Sequence, residues 1–435
     1  MNTIAIHTLG CKVNTYESEA ILRLFCEAGY QEVDFKEKAD VYVINTCTVT
    51  NTGDAKSRQM IRKAHKKNKD AIICVVGCYS QVASEEIECI EGVSVVLGTQ
   101  YRNEIVDLVN EFKGTGKQIV KINDVMKQAT FEDLDVDLFT KNTRAFLKIQ
   151  DGCNNFCTYC IIPYARGRMR SRSRDSVIKQ AQTLVNHGFS EIVLTGIHTA
   201  GYGAELDHYS FYDLLVDLTS QVKGLKRLRI SSIEMSQVSE EIIQLIASSS
   251  IIVDHLHIPI QSGNDKILRK MNRKYTTQEF EEKYFELKEK LPHISITTDV
   301  IVGFPGENDE DFEATYRWIE KLHFNQLHVF PYSKRKGTPA ARMKEQVNDT
   351  IKKQRVKSLI DLSHRLNREY ALSQVDQILE VLIEEKDGDY MIGHASNYLK
   401  VKVDLPISSI GHIYHVHIHD IDDVVLIGAV IDEEN

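Results

Sequence analysis

The stretch Gly152-Cys153-Asn154-Asn155-Phe156-Cys157-Thr158-Tyr159-Cys160 places three cysteines within eight positions, spaced C-x3-C-x2-C. No other segment constrains the chain as strongly. Thiolates this close together suit a soft metal, as zinc or as an iron–sulfur cluster. Zinc asks for a tetrahedral set of four, and neither a fourth cysteine nor a nearby histidine completes one here. A four-iron cubane held by three thiolates leaves one iron open to a ligand that is not protein. Inert cysteines are the third reading, and the spacing argues against it.

Upstream of this loop, apolar runs alternate with helical patterns. Residues 3–9, 41–45, 71–76 and 94–97 read as short buried strands, and 16–28 and 54–67 as helices. Such alternation predicts a parallel, doubly wound α/β sheet. Cys11, Cys47 and Cys78 each follow a strand. In an open parallel sheet the C-terminal strand ends share one edge, so three thiols distant in sequence converge there. That geometry is what a second three-thiolate cluster needs; three unrelated core cysteines are the plainer alternative. Gly10 and Gly77, each just before a cysteine, let the backbone approach closely. Cys26, Cys74 and Cys89 lie inside helical or strand patterns and read as core or half-buried thiols.

Residues 113–141 are mixed and polar, with an acidic run from Glu132 to Asp137, and read as a linker. Strands recur at 145–149, 192–194, 225–230, 255–259, 294–302 and 326–330, with helical patterns between most pairs. Six strand–helix units are too few for a closed eight-fold barrel. A long helix over 351–372 precedes five short strands at 378–383, 390–394, 399–403, 412–418 and 424–430, which fit a small antiparallel β-barrel. The expected domains are therefore 1–112, 142–372 and 373–435. His415, His417 and His419 alternate along one strand and share a face; a solvated polar face accounts for them more simply than a metal site.

Net charge is −9, but residues 376–435 hold thirteen acidic residues and three lysines, so the rest is near neutral. Two basic stretches stand out. Lys56, Arg58, Arg62, Lys63, Lys66, Lys67 and Lys69 follow Cys47, as an RNA-phosphate surface or a solvated face. Arg166, Arg168, Arg170, Arg172 and Arg174 alternate just after the cysteine loop. Arginine there favours a bidentate phosphate or carboxylate reader, with substrate RNA contact or a structural role around the open iron expected ahead of a solvated stretch. No apolar run is long enough to span a membrane. The first residues lack the basic and apolar regions of a signal peptide. Nine cysteines, an odd number, suit metal ligation in a cytoplasmic protein better than a disulfide frame.

The cysteine loop, read together with Thr8-Leu9-Gly10-Cys11-Lys12-Val13-Asn14, resembles the methylthiotransferase family of radical S-adenosylmethionine (SAM) enzymes, over nearly the whole chain. The resemblance implies an open six-fold (β/α) barrel for the central domain and a TRAM-like, RNA-binding barrel at the end. It implies two [4Fe-4S] clusters, one on Cys153, Cys157 and Cys160 and an auxiliary one on Cys11, Cys47 and Cys78. Tyr159, Gly196, Gln261, Asp299 and Gly303 correspond to positions near SAM. SAM cleavage at the open iron would remove the C2 hydrogen of a tRNA adenosine, and a methylthio group from the auxiliary cluster would replace it. The C2–H is not acidic, so acid–base catalysis has little to act on, and such chemistry belongs to the cofactor. The implied partners are the tRNA anticodon arm and an electron donor such as flavodoxin or ferredoxin.

Thr-Leu-Gly-Cys-Lys-Val-Asn is most similar to the branch acting on threonylcarbamoyladenosine. The alternatives are the isopentenyladenosine branch and the branch acting on a ribosomal-protein aspartate. The threonylcarbamoyl carboxylate calls for a cation, and Lys12 is the candidate. RNA affinity is expected to rest on residues 56–69 and 166–174, with the acidic C-terminal barrel only positioning the anticodon arm. A different class, a non-catalytic iron–sulfur redox sensor that binds RNA, would share the cysteines.

Overall fold

Short β-branched runs flanked by glycine and polar residues form buried parallel strands, and the longer patterns between them form covering helices. The structure is a computed structural model and describes residues 2–136, 139 and 142–431. It begins with β1 (Thr3–Thr8), α1 (Lys12–Glu27), β2 (Gln31–Glu32), β3 (Val41–Thr46), α2 (Asn51–Lys67), β4 (Ile72–Gly77), α3 (Cys78–Val82), α4 (Ser84–Glu88), β5 (Val93–Leu97), α5 (Ile105–Thr115) and β6 (Ile119–Lys121). The strands make one parallel sheet in the order β2-β1-β3-β4-β5-β6. β3 and β4 are buried along their whole length, so they read as unbroken apolar runs. Thr50 caps α2 by accepting from the Gly53 N–H. The sheet extends past residue 112, the limit expected from sequence, because Val95 pairs with Ile119 and Leu97 with Lys121.

The stretch expected as a plain linker does more than connect. Leu134, Val136 and Phe139 are buried in the central core. Glu132 pairs with Arg102, and Asp133 and Asp135 pair with Arg172. Asp137 of that acidic run lies outside the described residues, as do Met1, Asp432, Glu433 and Glu434.

The second domain holds β7 (Ala145–Lys148), β8 (Gln150–Asp151), α6 (Ile162–Arg166), β9 (Arg170–Ser171), α7 (Arg174–Asn186), β10 (Glu191–Thr195), α8 (Phe211–Gln221), β11 (Arg227–Ile230), α9 (Glu240–Ser248), β12 (His255–His257), α10 (Asp265–Lys270), α11 (Thr277–Lys290), β13 (Ser295–Val302), α12 (Asp309–Leu322) and β14 (Gln326–Pro331). Parallel sheets β7-β10-β11 and β12-β13-β14 meet where the Leu228 and Val253 N–H groups donate to Ile251 and Leu228. The result is an open barrel of six strands. Strand alternation sends Leu194, Leu228, Ile296 and Val300 outward under the helices. It turns Lys148, Glu191, Arg229, His257, Thr297 and Asp299 toward the lumen. α1 of the first domain packs against β7.

After α13 (Asp349–Leu372) come β15 (Ile378–Asp387), β16 (Tyr390–Ala395), β17 (Lys400–Val403), β18 (Ile413–Asp422) and β19 (Val425–Val430). They close into a barrel ordered β15-β16-β17-β19-β18. Val416 and Ile418 fill it, while His415 and His419 on the same strand are exposed.

This small barrel seats on the N-terminal ends of the six-strand barrel. Arg227 donates to the His394 carbonyl, and Arg229 to the Ser396 carbonyl at 3.1 Å. Arg144 pairs with Glu384 at 2.7 Å. Tyr398 stacks on His255 with ring centroids 4.7 Å apart, and Arg144 and Arg229 both lie against its ring. Tyr398 holds φ +74°, a region that costs a bulky residue energy and that these contacts sustain. Tyr398→Ala is expected to cost about 2–4 kcal/mol in urea unfolding. Tyr390→Ala, at a side chain 48% exposed, is expected to stay within about 0.5 kcal/mol.

Candidate active site

Three strand ends deliver Cys11, Cys47 and Cys78. Cys11 is exposed, Cys47 half-buried and Cys78 buried, and none is in a disulfide. Close approach sets the residues before them. A Cβ on Gly10, at φ +106°, would come 2.8 Å from the Cys47 Cβ; one on Gly77, at φ +101°, would come 2.5 Å from the Asn45 Oδ1. Burial pushes the Cys78 thiol up to about 12, and Cys47 and Cys11 push it the same way. Burial also raises Cys47, with Cys11 again contributing. The three thiols therefore feel one another, and their thiolates await a positive centre.

The contiguous triplet sits on the loop between β8 and α6. Burial, aided by Cys157, pushes Cys153 up to about 11 and Cys160 up to about 12. The loop is pinned from α10: the Thr158 N–H donates to the Met271 carbonyl at 3.0 Å, and Asn272 donates to the Asn155 and Phe156 carbonyls. Arg273 lies 3.8 Å from the Cys157 Sγ and pairs with Glu234 at 2.9 Å, which in turn accepts from Asn155. Three-thiol sets without a fourth cysteine nearby fit site-differentiated four-iron clusters. Cys74 is buried in β4 as expected. Cys26 and Cys89 are exposed, a correction to their reading as core or half-buried thiols.

The arginine run departs most from the sequence reading. Arg166, Arg170 and Arg172 are buried and are not phosphate readers. Arg166 donates to the Cys78 Sγ at 3.2 Å, the Asn14 Oδ1 at 2.8 Å, Glu17 at 2.6 Å and Asp151 at 3.2 Å. Lys148 bridges Glu17 and Asp151 at 2.7 Å each, and Arg102 lies 3.0 Å from Glu17. Arg170 donates to the Arg166 and Arg168 carbonyls. Arg172 donates to Tyr16 and pairs with Asp133 and Asp135. Of the five, Arg168 alone is exposed; Arg174 is half-buried and pairs with Asp217 at 2.6 Å. Burial would raise Glu17, but Arg102, Arg166 and Lys148 outweigh it and hold the carboxyl down at about 2. Asp151 is held well below the usual carboxylate range in the same way. Glu17 and Asn14 were not singled out from sequence. Their signal is their placement on one face of the helix that follows Cys11.

A second clamp sits across the site. Arg335, after β14, donates to Thr48 and Asp54 at 2.6 Å each and to Asn51, all just beyond Cys47. Between the triplets is a cavity of about 240 Å³, lined by Val49, Thr50, Tyr159, Cys160, Ile301, Phe330 and Tyr332, with Gln261 and Asp299 as polar ends. Gln261 holds φ +64° while its N–H donates to the Asp299 carbonyl and its carbonyl accepts from Ile301. Tyr159, Gln261 and Asp299 thus meet at one cavity, as the sequence suggests. Gly196 and Gly303 do not line it: Gly196 packs beside Gln150, and Gly303 beside the stem of Lys352. Asp299 lies 3.3 Å from the His257 Nε2, and with His328 these two bring ligating atoms within 4.8 Å of one another. Lys12 is half-buried and faces the barrel floor, beside Arg229 and Tyr398.

An open six-strand barrel with a three-thiol loop at the strand C-terminal ends is the arrangement of a radical SAM protein. The sequence profile of the Radical SAM superfamily matches residues 147–319, and that of an uncharacterized protein family, UPF0004, matches 3–98. Threonylcarbamoyladenosine tRNA methylthiotransferase MtaB of Bacillus subtilis is 52% identical, over 96% of this chain and 94% of that one. MtaB of Aquifex aeolicus is 38% identical, over 92% and 96%. The tRNA-2-methylthio-N(6)-dimethylallyladenosine synthase of Acetivibrio thermocellus is 33% identical, over 98% and 90%. Among solved structures, the methyltransferase TsrM of Kitasatospora setae shares the fold, with a TM-score of 0.57 at 16% identity, over 78% of this chain and 77% of that one. The chain belongs to the methylthiotransferase family of radical SAM proteins, in its MtaB-like branch.

Two outcomes follow from the buried charges. Arg166→Lys keeps the charge but cannot reach Cys78, Asn14 and Glu17 at once, so iron per polypeptide is expected to fall toward half, with the barrel triplet still loaded. Glu17 titrates at about 2 in the fold against 4.5 as a free side chain. A depressed carboxylate contributes fully above about pH 4.5, and that contribution is lost as pH falls toward 2. Cluster-free protein should lose on the order of 3 kcal/mol over that window. Glu17→Gln should flatten the dependence, read from urea midpoints near pH 5 and near pH 3.

Proposed function

We infer that the protein methylthiolates C2 of threonylcarbamoyladenosine in tRNA by radical SAM chemistry, with two [4Fe-4S] clusters and SAM as cofactors. One observation carries this: a single cavity is lined both by Cys160 of one triplet and by Val49 and Thr50, which closely follow Cys47 of the other. The base is supported by the names of the MtaB relatives. When bound, the clusters and SAM supply one-electron hydrogen abstraction and a transferable methylthio group.

The chain's own residues bind, orient and exclude water. Cys153, Cys157 and Cys160 would hold the SAM-binding cluster, and Cys11, Cys47 and Cys78 the sulfur-donating one. Ile301, Phe330, Tyr332 and Val49 keep the cavity between them largely apolar. The Gln261 side-chain amide offers a donor and an acceptor, and the Asp299 carboxylate an acceptor, for the ribose or amino-acid part of SAM. The Tyr159 ring, edge-on to Phe304, forms a flat wall suited to adenine. An exposed anticodon-loop base needs little unstacking to enter.

For the tRNA, α2 is the surface the charges favour. Lys56, Arg62, Lys63, Lys66 and Lys69 are exposed and, among the described residues, have no ion-pair partner. Arg168, close after the cysteine loop, is a further exposed cation. The anticodon arm as contact, a flavodoxin or ferredoxin as electron donor and a cytoplasmic location complete the proposal. Among the described residues no helix is long and apolar enough to cross a membrane.

Nucleoside mass spectrometry of tRNA from a deletion strain is expected to lack the methylthio-threonylcarbamoyladenosine peak; an unchanged peak refutes the reading. In anaerobic assays Cys157→Ala should abolish 5′-deoxyadenosine release, whereas Cys47→Ala should keep it and lose methylthio transfer. The pair Lys56→Glu and Lys63→Glu should weaken tRNA binding at least tenfold and lower its salt dependence.

A further inference from the structure

Beneath the SAM cavity lies a second, smaller one of about 130 Å³, closed below by Tyr398 of the C-terminal barrel. Lys12, Arg229, Ser231, His255, His257 and His328 line it, and no carboxylate does. Arg229 pairs with Glu191 at 2.7 Å, a carboxylate that Arg227 shares at 3.0 Å. Lys12 has no hydrogen-bond or ion-pair partner among the described residues. The His255 Nδ1 is buried without a partner, while its Nε2 and the His257 Nδ1 meet the Thr297 Oγ1 at 3.0 and 2.9 Å. A partly open space lined by a lysine without a carboxylate partner and by a buried imidazole nitrogen without a partner suits a small anion bearing further acceptors. Two links tie it to the chemistry. His257 lies 3.3 Å from Asp299, which lines the SAM cavity, and Lys12 directly follows Cys11.

We propose that this cavity receives the threonyl part of the substrate's N6 substituent, with Lys12 bound to its carboxylate and Ser231 and the lumen histidines bound to its remaining polar atoms. The inference rests on threonylcarbamoyladenosine being the substrate base. With C2 presented at the SAM cavity, the N6 substituent is directed to another wall, and the floor of the lumen is the wall with matching charge. An isopentenyl group, wholly apolar, would leave Lys12 and the His255 Nδ1 without partners, so the same cavity disfavours it. Volume agrees, since the space holds a group the size of one small amino acid and not a nucleoside.

The test uses the iron-loaded full chain and three anticodon stem-loops: one with threonylcarbamoyladenosine, one with its carboxylate methyl ester and one with isopentenyladenosine. Wild type is expected to favour the acid over the ester by about a hundredfold in kcat/KM. Lys12→Met should lose about that factor on the acid and little more on the ester, with iron content and 5′-deoxyadenosine release retained. Ser231→Ala provides a milder variant remote from the cysteines and should narrow the acid-to-ester ratio several-fold. Equal turnover of acid and ester by wild type overturns the assignment without any variant, and so does a Lys12→Met loss that is the same on both. Stoichiometric zinc or manganese beside the iron would place a metal on His257, Asp299 and His328 and overturn direct recognition by side chains. Failure of wild type on every threonylcarbamoyladenosine stem-loop, with turnover of isopentenyladenosine, would overturn the substrate reading itself.

Discussion

Glu17, fully enclosed between two domains, is the group on which the rest of the site depends. A lone carboxylate there would be prohibitively desolvated. It is tolerated because Arg102, Arg166 and Lys148 converge on it, and Asp151 offsets one of the two surplus cations. Networks of this kind contribute little net stability compared with apolar packing, but breaking one member leaves an unpaired buried charge. What this network does contribute is position. Glu17 follows Cys11 on α1, Asp151 lies two residues before Cys153, and Arg166 bonds the Cys78 sulfur. One set of ion pairs thereby references both cysteine triplets to each other. Counting Arg170 and Glu132, four cations face three carboxylates. The one residual positive charge lies beside Cys78, where a thiolate-ligated cluster adds negative charge.

The opposite side of the cavity is held by Arg335, which bridges Thr48, Asn51 and Asp54. Two clamps on either flank make the first domain a fixed wall of the site and not a hinged cover. That matters physically because the two triplets come from different domains. One sits on a single loop of the barrel; the other is gathered from three strand ends of the sheet. Their separation is set only by how the domains dock, and a loose interface would let it vary by more than a reacting atom can tolerate.

Much of this was legible in the sequence, for reasons that also mark where legibility ends. Buried parallel strands carry a local signature, so 41–45, 71–76 and 326–330 were recognisable to within a residue or two, and the cysteines after β1, β3 and β4 followed. Of the two readings of the arginine run, RNA contact fails for Arg166, Arg170 and Arg172 and a structural role stands, and the sequence could not separate them because the partners are remote: Glu17 is 149 residues from Arg166, and Asp135 is 37 from Arg172. Alternating arginines look the same whether they face solvent or distant carboxylates. The acidic run at 132–137 likewise looked like a solvated linker, yet Asp133 and Asp135 supply two of those carboxylates and Glu132 pairs with Arg102. Gly196 and Gly303 sit at strand ends as expected, but their neighbours are Gln150 and Lys352, which no local pattern connects to them. The lumen histidines passed unnoticed for the opposite reason: each stands alone in its strand, and only the closing of the barrel sets them around one space.

The C-terminal barrel then has a part beyond its own surface. It is too acidic to attract phosphates generally, and its docking side chain Tyr398 stops the N-terminal end of the lumen. The cysteine loop lies at the opposite entrance, on the strand C-terminal side. Val49 and Phe330, 53% and 44% exposed, stand at that entrance as an apolar rim on which an unstacked base can rest. Charge is therefore segregated by depth: exposed lysines of α2 outside, an apolar collar at the cavity and uncompensated donors at the floor.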